Sequence, residues 1–187
     1  MPREPQFRLP TCFCADIVLR ELVSSDAPFL NDAFRADSPP PFIPAPPDSV
    51  DGYERFIAIY RRKCEVGQGG CVGVVPRGAD GPIGLFQFSV LPEERRAIEW
   101  GFILSTRYWG TGVFVRSAGL VLDFLFHDYR AERVQGRCAV ENSRAISALR
   151  KLGAVPGPIS YEPAFFDRPR QGQVWTILAD TWRQRNA

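Results

Sequence analysis

Short apolar runs organise the first third of the chain. Ile17-Val18-Leu19 reads as a strand, and Ser24-Ser25-Asp26 supplies capping chemistry for a helix reaching about Phe34. Asp48-Ser49 is a second cap, followed by Tyr53, Phe56, Ile57 and Tyr60 at helical spacing up to Arg62. Then the period changes. Cys71 to Val75, Ile83 to Leu91 and Ala97 to Leu104 predict three strands of an antiparallel meander, separated by Arg77-Gly78-Ala79-Asp80-Gly81 and by Pro92-Glu93-Glu94-Arg95-Arg96. Gly112 to Phe126 is apolar on most sides and predicts a helix buried against a sheet. Arg133 to Val140 predicts a strand, Ser143 to Leu152 a helix stopped by Gly153, and Val174 to Leu178 a last strand.

Two stretches break this pattern. Ser38 to Pro47 holds six prolines in ten residues, and Pro156 to Gly172 is rich in proline and glycine. Both predict surface loops outside the sheet interior. The order β-α-α-β-β-β-α-β-α-β predicts an α/β domain, a mixed sheet with helices on both faces.

Composition narrows the class. With 187 residues, 45% hydrophobic and 24% charged, the chain fits one globular domain over 1–187, with Met1 to Pro10 read as a flexible N-terminus. No apolar run is long enough to span a bilayer, and Met1 to Pro10 lacks a signal-like apolar core, so the expected location is cytoplasmic, without a membrane partner. The net charge of +2 argues against a dedicated nucleic-acid surface. Of the 23 basic residues only Lys63 and Lys151 are lysines; arginine suits phosphate and carboxylate, and a GC-rich genome gives the same bias. Five cysteines form no CxxC pair and there is one histidine, so no metal site is expected. Cys12 and Cys14 sit at strand spacing and read as two small buried hydrophobes; His127 reads as a helix-terminal residue favoured by the dipole.

The sharpest motif is Arg107-Tyr108-Trp109-Gly110-Thr111-Gly112, between an expected strand and an expected helix. Its glycines permit a tight turn that aims several N–H groups at one point, with a helix N-terminus behind them. Such a loop suits a pyrophosphate, although a turn without a ligand fits the motif alone equally well. The missing Gly-Lys-Ser/Thr counts against a P-loop, and the missing third glycine and strand–helix–strand unit count against a dinucleotide fingerprint.

Ile98-Glu99-Trp100-Gly101-Phe102-Ile103-Leu104, continued by that loop, resembles the acyl-CoA-binding core of the GNAT N-acetyltransferase superfamily, in particular its RimJ/RimL-like branch. Glu141-Asn142-Ser143-Arg144-Ala145-Ile146 with Lys151-Leu152-Gly153 resembles the branch's second signature. The resemblance implies a sheet with splayed central strands and acetyl-CoA, or another acyl-CoA, as cofactor. It implies that Ile103 and Leu104 pair with the pantetheine arm, and that Arg107, Tyr108, Trp109, Gly110, Thr111 and Gly112, with Val113 behind them, hold the pyrophosphate. Asn142 is then a cofactor ligand, a role compatible with capping the following helix.

The resemblance makes Glu99 the base that takes the amine's proton; the plainer reading is a solvated residue on an alternating strand. The branch's usual serine is replaced by Ala145, which leaves Ser143 and Ser147 as the neighbouring hydroxyls for a general acid, with Tyr161 at a poorly matched spacing. The implied acceptor is a primary amine, a peptide N-terminus or a small molecule. A non-catalytic acyl-CoA-binding module and a toxin-like enzyme acting on aminoacyl-tRNA are the alternatives, and a homodimer stays open. Loops flanking the splayed strands would place Phe42, Phe165, Phe166 and Arg168 along an acceptor groove, or else these aromatics pin the loops to the core.

Overall fold

The computed structural model describes residues 10–35, 42, 46–162 and 170–186. Among the described residues the chain order is β1 (Cys12–Cys14), β2 (Ile17–Glu21), α1 (Ala27–Arg35), α2 (Val50–Glu65), β3 (Gly69–Pro76), β4 (Gly84–Leu91), β5 (Glu94–Leu104), α3 (Val113–Asp123), β6 (Arg133–Ala139), α4 (Ser143–Lys151), β7 (Val155–Glu162), β8 (Arg170–Leu178) and α5 (Ala179–Arg185). The eight strands form one sheet in the order β1-β2-β3-β4-β5-β6-β8-β7. Every neighbouring pair is antiparallel except β5 and β6. It is the mixed α/β sheet expected from the pattern.

Local chemistry starts the helices where the caps stand. Ser49 Oγ accepts the Gly52 amide at 3.2 Å at the head of α2. Before α1, the Asp26 carboxylate accepts the Val23 amide at 2.9 Å and both guanidinium nitrogens of Arg20 at 2.7 Å. Charge-assisted, two-point bonds of this kind let a carboxylate lie buried.

Side-chain alternation then decides which face each helix covers. Leu85 and Cys71 turn toward α1 and α2, where they pack with Leu30, Phe34, Tyr53 and Ile57. Phe86, Phe88, Ile98 and Trp100 turn the other way, into the main core with Val121 and Leu122 of α3, Leu149 of α4 and Trp182 of α5. Burial on both faces is what keeps β3 and β4 nearly continuous in apolar residues.

Four elements differ from the sequence reading. β1 is a short edge ribbon beside β2. The stretch from Pro156, expected to be loop, begins with β7, an edge strand carrying Pro156 and Pro158, with a register shift between Pro156 and Ile159. An edge tolerates proline because only one side of the strand must donate. β8 accordingly starts at Arg170 rather than Val174. The C-terminal residues form α5, fixed by Trp182, whose Nε1 donates to Asp123 at 2.8 Å. Of Ser38 to Pro47, the residues 42, 46 and 47 are described; residues 1–9, Phe165, Phe166 and Arg168 lie outside the described residues.

Candidate active site

β5 and β6 run side by side for three residues, Ala97 with Arg133, Ile98 with Val134 and Glu99 with Gln135. Beyond that point they part. Trp100 to Leu104 keep β4 on one edge and no strand on the other, and Gly136 to Ala139 keep only β8. Glu99 therefore stands at the vertex of a fork between two half-paired strands.

The two faces of the fork are chemically opposite. On the α3 face Trp100 stacks on Phe86 at 6.0 Å between ring centres, Phe86 on Phe114 at 5.8 Å, and Phe102 lies 4.4 Å from Phe114. The Trp100 indole lies over Gly136, where a Cβ would meet its ring at 2.8 Å and its carbonyl oxygen at 3.0 Å. On the α2 face the groups are polar. Glu99 Oε1 accepts from Arg137 Nε of β6 at 3.1 Å, with both side chains about one-third exposed. Ser89 is the direct cross-strand neighbour of Glu99, and its Oγ accepts from Lys63 Nζ at 3.3 Å. Lys63 also sits 4.7 Å from the centre of the Tyr60 ring, one helical turn back on α2. Burial pushes the Tyr60 hydroxyl up to about 12, the Glu99 charge adding to the rise while its hydrogen bond with Ser89 opposes it.

At the open end of β5 the chain makes a short turn over Thr106–Tyr108 and reaches α3 through Gly110 and Gly112, at φ +78° and +80°. These left-handed angles favour glycine. The turn is tied down from three sides. Trp109 Nε1 donates to the Leu104 carbonyl at 2.9 Å, Thr111 Oγ1 donates to the Tyr108 carbonyl at 2.7 Å, and the Arg144 guanidinium lies 4.2 Å above the Trp109 ring. Arg116 of α3 pairs with Asp16 at 3.2 Å and donates to the Thr111 carbonyl at 3.3 Å. A Cβ at Gly110 would meet nothing within 4 Å, and one at Gly112 would meet only the Arg116 side chain. Glycine here leaves a vacant cradle in front of the α3 N-terminus, whose first amides have no carbonyl a turn earlier. Those features fit the pyrophosphate of a coenzyme A.

The expected residues are distributed unevenly around these features. Ile103 and Leu104 lie on the half-paired stretch of β5, Arg107 is exposed in the turn, and Val113 is buried behind it. Asn142 caps α4, its Oδ1 accepting the Ala145 amide at 3.1 Å. Ser143 and Ser147 are exposed and lie opposite the inward face of α4, which is formed by Ala145, Ile146 and Leu149. The helix presents the alanine inward because 3.6-residue periodicity puts positions 145 and 149 together and 143 and 147 behind. Phe42 is described, and the Arg170 guanidinium stands 5.0 Å from its ring centre. Arg170 is buried and pairs with Glu141 at 3.7 Å.

Arg137, Ser89, Tyr60, Lys63 and Arg170 were not legible as site residues. Gln135 and Arg137 two apart on an expected strand were the one available signal, and without the β5–β6 register nothing aims them at Glu99. No group of three or more metal-ligating side chains occurs among the described residues, and no helix among them is long and apolar enough to cross a membrane.

The half-paired central strand, the glycine turn at a helix N-terminus and the carboxylate at the vertex all lie inside the stretch that a known enzyme family matches. Residues 16–155 match the acetyltransferase (GNAT) domain, and the chain belongs to the GNAT family of N-acetyltransferases. Among solved structures it resembles a ribosomal-protein-S5-alanine acetyltransferase from Vibrio fischeri, with a TM-score of 0.82 and 17% identity over 92% of this chain and 98% of that one. It also resembles Mycobacterium smegmatis RimJ in complex with CoA-disulfide, with a TM-score of 0.79 and 17% identity over 88% and 82%. A chimera of the spermidine N-acetyltransferase SpeG from Vibrio cholerae gives a TM-score of 0.75 and 20% identity over 91% and 100%. At such identities the likeness is one of fold. No curated protein sequence matches the chain.

Proposed function

We propose that the protein transfers an acetyl group from acetyl-CoA to a primary amine brought to Glu99 from the α2 face. The observation that carries this reading is the position of Glu99 at the vertex of the fork, on the polar face, beside the half-paired strand that leads to the glycine turn. Gly110 to Val113 and the first turn of α3 would hold the pyrophosphate, and Trp100 to Leu104 would offer backbone groups to the pantetheine arm. Acetyl-CoA supplies the acetyl group as a thioester, whose carbonyl carbon bonds to the amine nitrogen as its bond to sulfur breaks.

Within this reading the chain's own task is to deliver a neutral amine. Glu99, held by Arg137 from β6, takes the proton the ammonium sheds. α4 offers no acid, since Ala145 fills its inward position. None is demanded, because a thiol ionises near pH ~8.5 and its anion departs readily at mildly alkaline pH.

Mass spectrometry of the protein with acetyl-CoA and a mixture of peptides and small amines tests the reading. An acetylated amine whose formation is lost in Glu99→Gln supports it. A protein that binds acetyl-CoA and acetylates nothing in the mixture is the non-catalytic module instead.

A further inference from the structure

The end of β5 remote from the glycine turn borders a second opening. Arg96 and Leu104 lie near opposite ends of that strand, about 27 Å apart at roughly 3.4 Å per residue. Around the Arg96 end, the α2–β3 turn, the last residues of β4 and the segment between α3 and β6 surround a cavity of about 790 Å³. That volume suits a small organic ligand. Its walls are mixed. Val90 and Leu91 supply apolar surface, while Lys63, Arg96, Arg130 and Asp128 supply charge, three cations to one carboxylate.

The cations are not equally committed. Arg96 pairs with Glu132 at 3.0 Å. Lys63 meets the Ser89 hydroxyl and the Tyr60 ring, neither of which carries a negative charge. Arg130 is exposed and makes no hydrogen bond, ion pair or ring contact among the described residues. Its backbone is nonetheless left-handed, at φ +65°.

The local fold explains that angle but not the side chain. α3 runs out through one turn of π-helix over Phe124–Asp128, with the Tyr129 amide donating to the Phe124 carbonyl at 3.0 Å and the Ala131 amide to the Leu125 carbonyl at 2.8 Å. These bonds bury Tyr129 and Ala131 and leave Asp128 and Arg130 exposed. Glycine ends a helix at such an angle without strain. Arginine there bears the strain and gains no internal contact, and strain of this kind gathers at ligand sites.

We infer that the cavity is a binding site for a small organic phosphate. Its dianionic head meets Lys63 and Arg130, the two lining cations without a carboxylate, and its apolar body covers Val90 and Leu91. The length of β5 separates it from the cradle at Gly110 and Gly112, so it is not the phosphate site of the coenzyme. Such a site stands whether or not Glu99 acts as a base.

Phenyl phosphate is the probe, titrated by calorimetry into the full chain with coenzyme A present to fill the glycine cradle. Saturable one-to-one binding is expected, with inorganic phosphate at least about tenfold weaker for want of an apolar body. Arg130→Gln and Lys63→Gln should each weaken phenyl phosphate about tenfold or more, the loss of one charge-assisted contact. Asp128→Asn should tighten it, since a like charge leaves the wall. Arg130→Gly separates binding from architecture. It should lose the ligand as fully as Arg130→Gln while raising Tm by roughly 2–4 °C, because the left-handed strain is relieved. Absence of saturable phenyl phosphate binding overturns the inference, as does equal affinity for inorganic phosphate. Affinity unchanged in either Arg130→Gln or Lys63→Gln overturns it too. So does binding seen only when coenzyme A is omitted, which puts the phosphate at the glycine turn.

Discussion

The two faces of β5 are built from the same few residues and serve opposite ends. Ile98, Trp100, Phe102 and Leu104 point into an aromatic layer with Phe86 and Phe114, which closes the fork from below and fastens the head of α3 to the sheet. Glu99, Gly101 and Ile103 point to α2, where the fork opens on charged and hydroxyl groups. Apolar contact is indifferent to small rotations and is costly to remove, so the α3 face carries stability. Charge placed at a partly exposed vertex contributes little to folding and much to any reaction that moves a proton. One strand, by alternating, holds a rigid support and a reactive group within a single residue of each other.

This division is open to direct attack. On the polar face Glu99→Gln should lower turnover about 10²-fold or more at unchanged acetyl-CoA affinity, with folding stability within about 1 kcal/mol of wild type. A rate–pH profile with the same acidic limb in both proteins removes Glu99 as the base. On the apolar face Phe86→Ala should do the reverse, costing about 3–5 kcal/mol of stability and lowering Tm by roughly 2–4 °C for each of these. Calorimetric melting reads it, and a shift below about 3 °C means the aromatic layer is not the support it looks to be.

Between the faces stands the glycine turn. Gly112→Asp combines a left-handed backbone, at φ +80°, with a carboxylate beside the expected pyrophosphate. Acetyl-CoA affinity should fall at least about tenfold by titration, while the fold persists. Undiminished affinity places the phosphates elsewhere.

Alkaline stability should follow the buried protons. Burial raises the Cys138 thiol from 9.0 to about 11, and the Tyr53 and Tyr60 hydroxyls from 10.0 to about 12. The folded state therefore holds these protons more tightly than the unfolded chain. Their contribution is complete below pH 9 and is lost as pH rises through 11 and 12, so denaturant midpoints should be flat to about pH 9 and then decline. Cys138→Ala should shrink the early part of the decline without abolishing it, because burial also pushes up the Cys71 thiol, which shares that part.

The smallest effect belongs to Asp16→Asn. It breaks the exposed pair with Arg116 that ties the β1–β2 turn to α3, and should cost under about 1 kcal/mol, vanishing at high salt.

Much of this was written locally. Caps at Ser49 and Asn142, the alternation of β4 and β5, the apolar α3 and the glycines at 110 and 112 are short-range signals, and each formed the element it announced. Helix periodicity also carries the fate of Ser143 and Ser147, since they stand behind Ala145 and Leu149 on any regular helix. β7 hid because proline argues against a strand wherever both edges must be paired, and only the finished sheet makes this strand an edge. α5 is short, and its anchor, Trp182 bonded to Asp123, joins residues far apart in the chain. The polar face of the fork was hidden for the same reason. Glu99 meets Arg137, and Ser89 meets Lys63, only after β5 and β6 align in parallel and α2 settles over β3, beside β4. Sequence determines what each segment is locally, because caps, periods and left-handed glycines act over a few residues. Which charges face one another is decided by strand register and helix placement, and those are settled by the whole core at once.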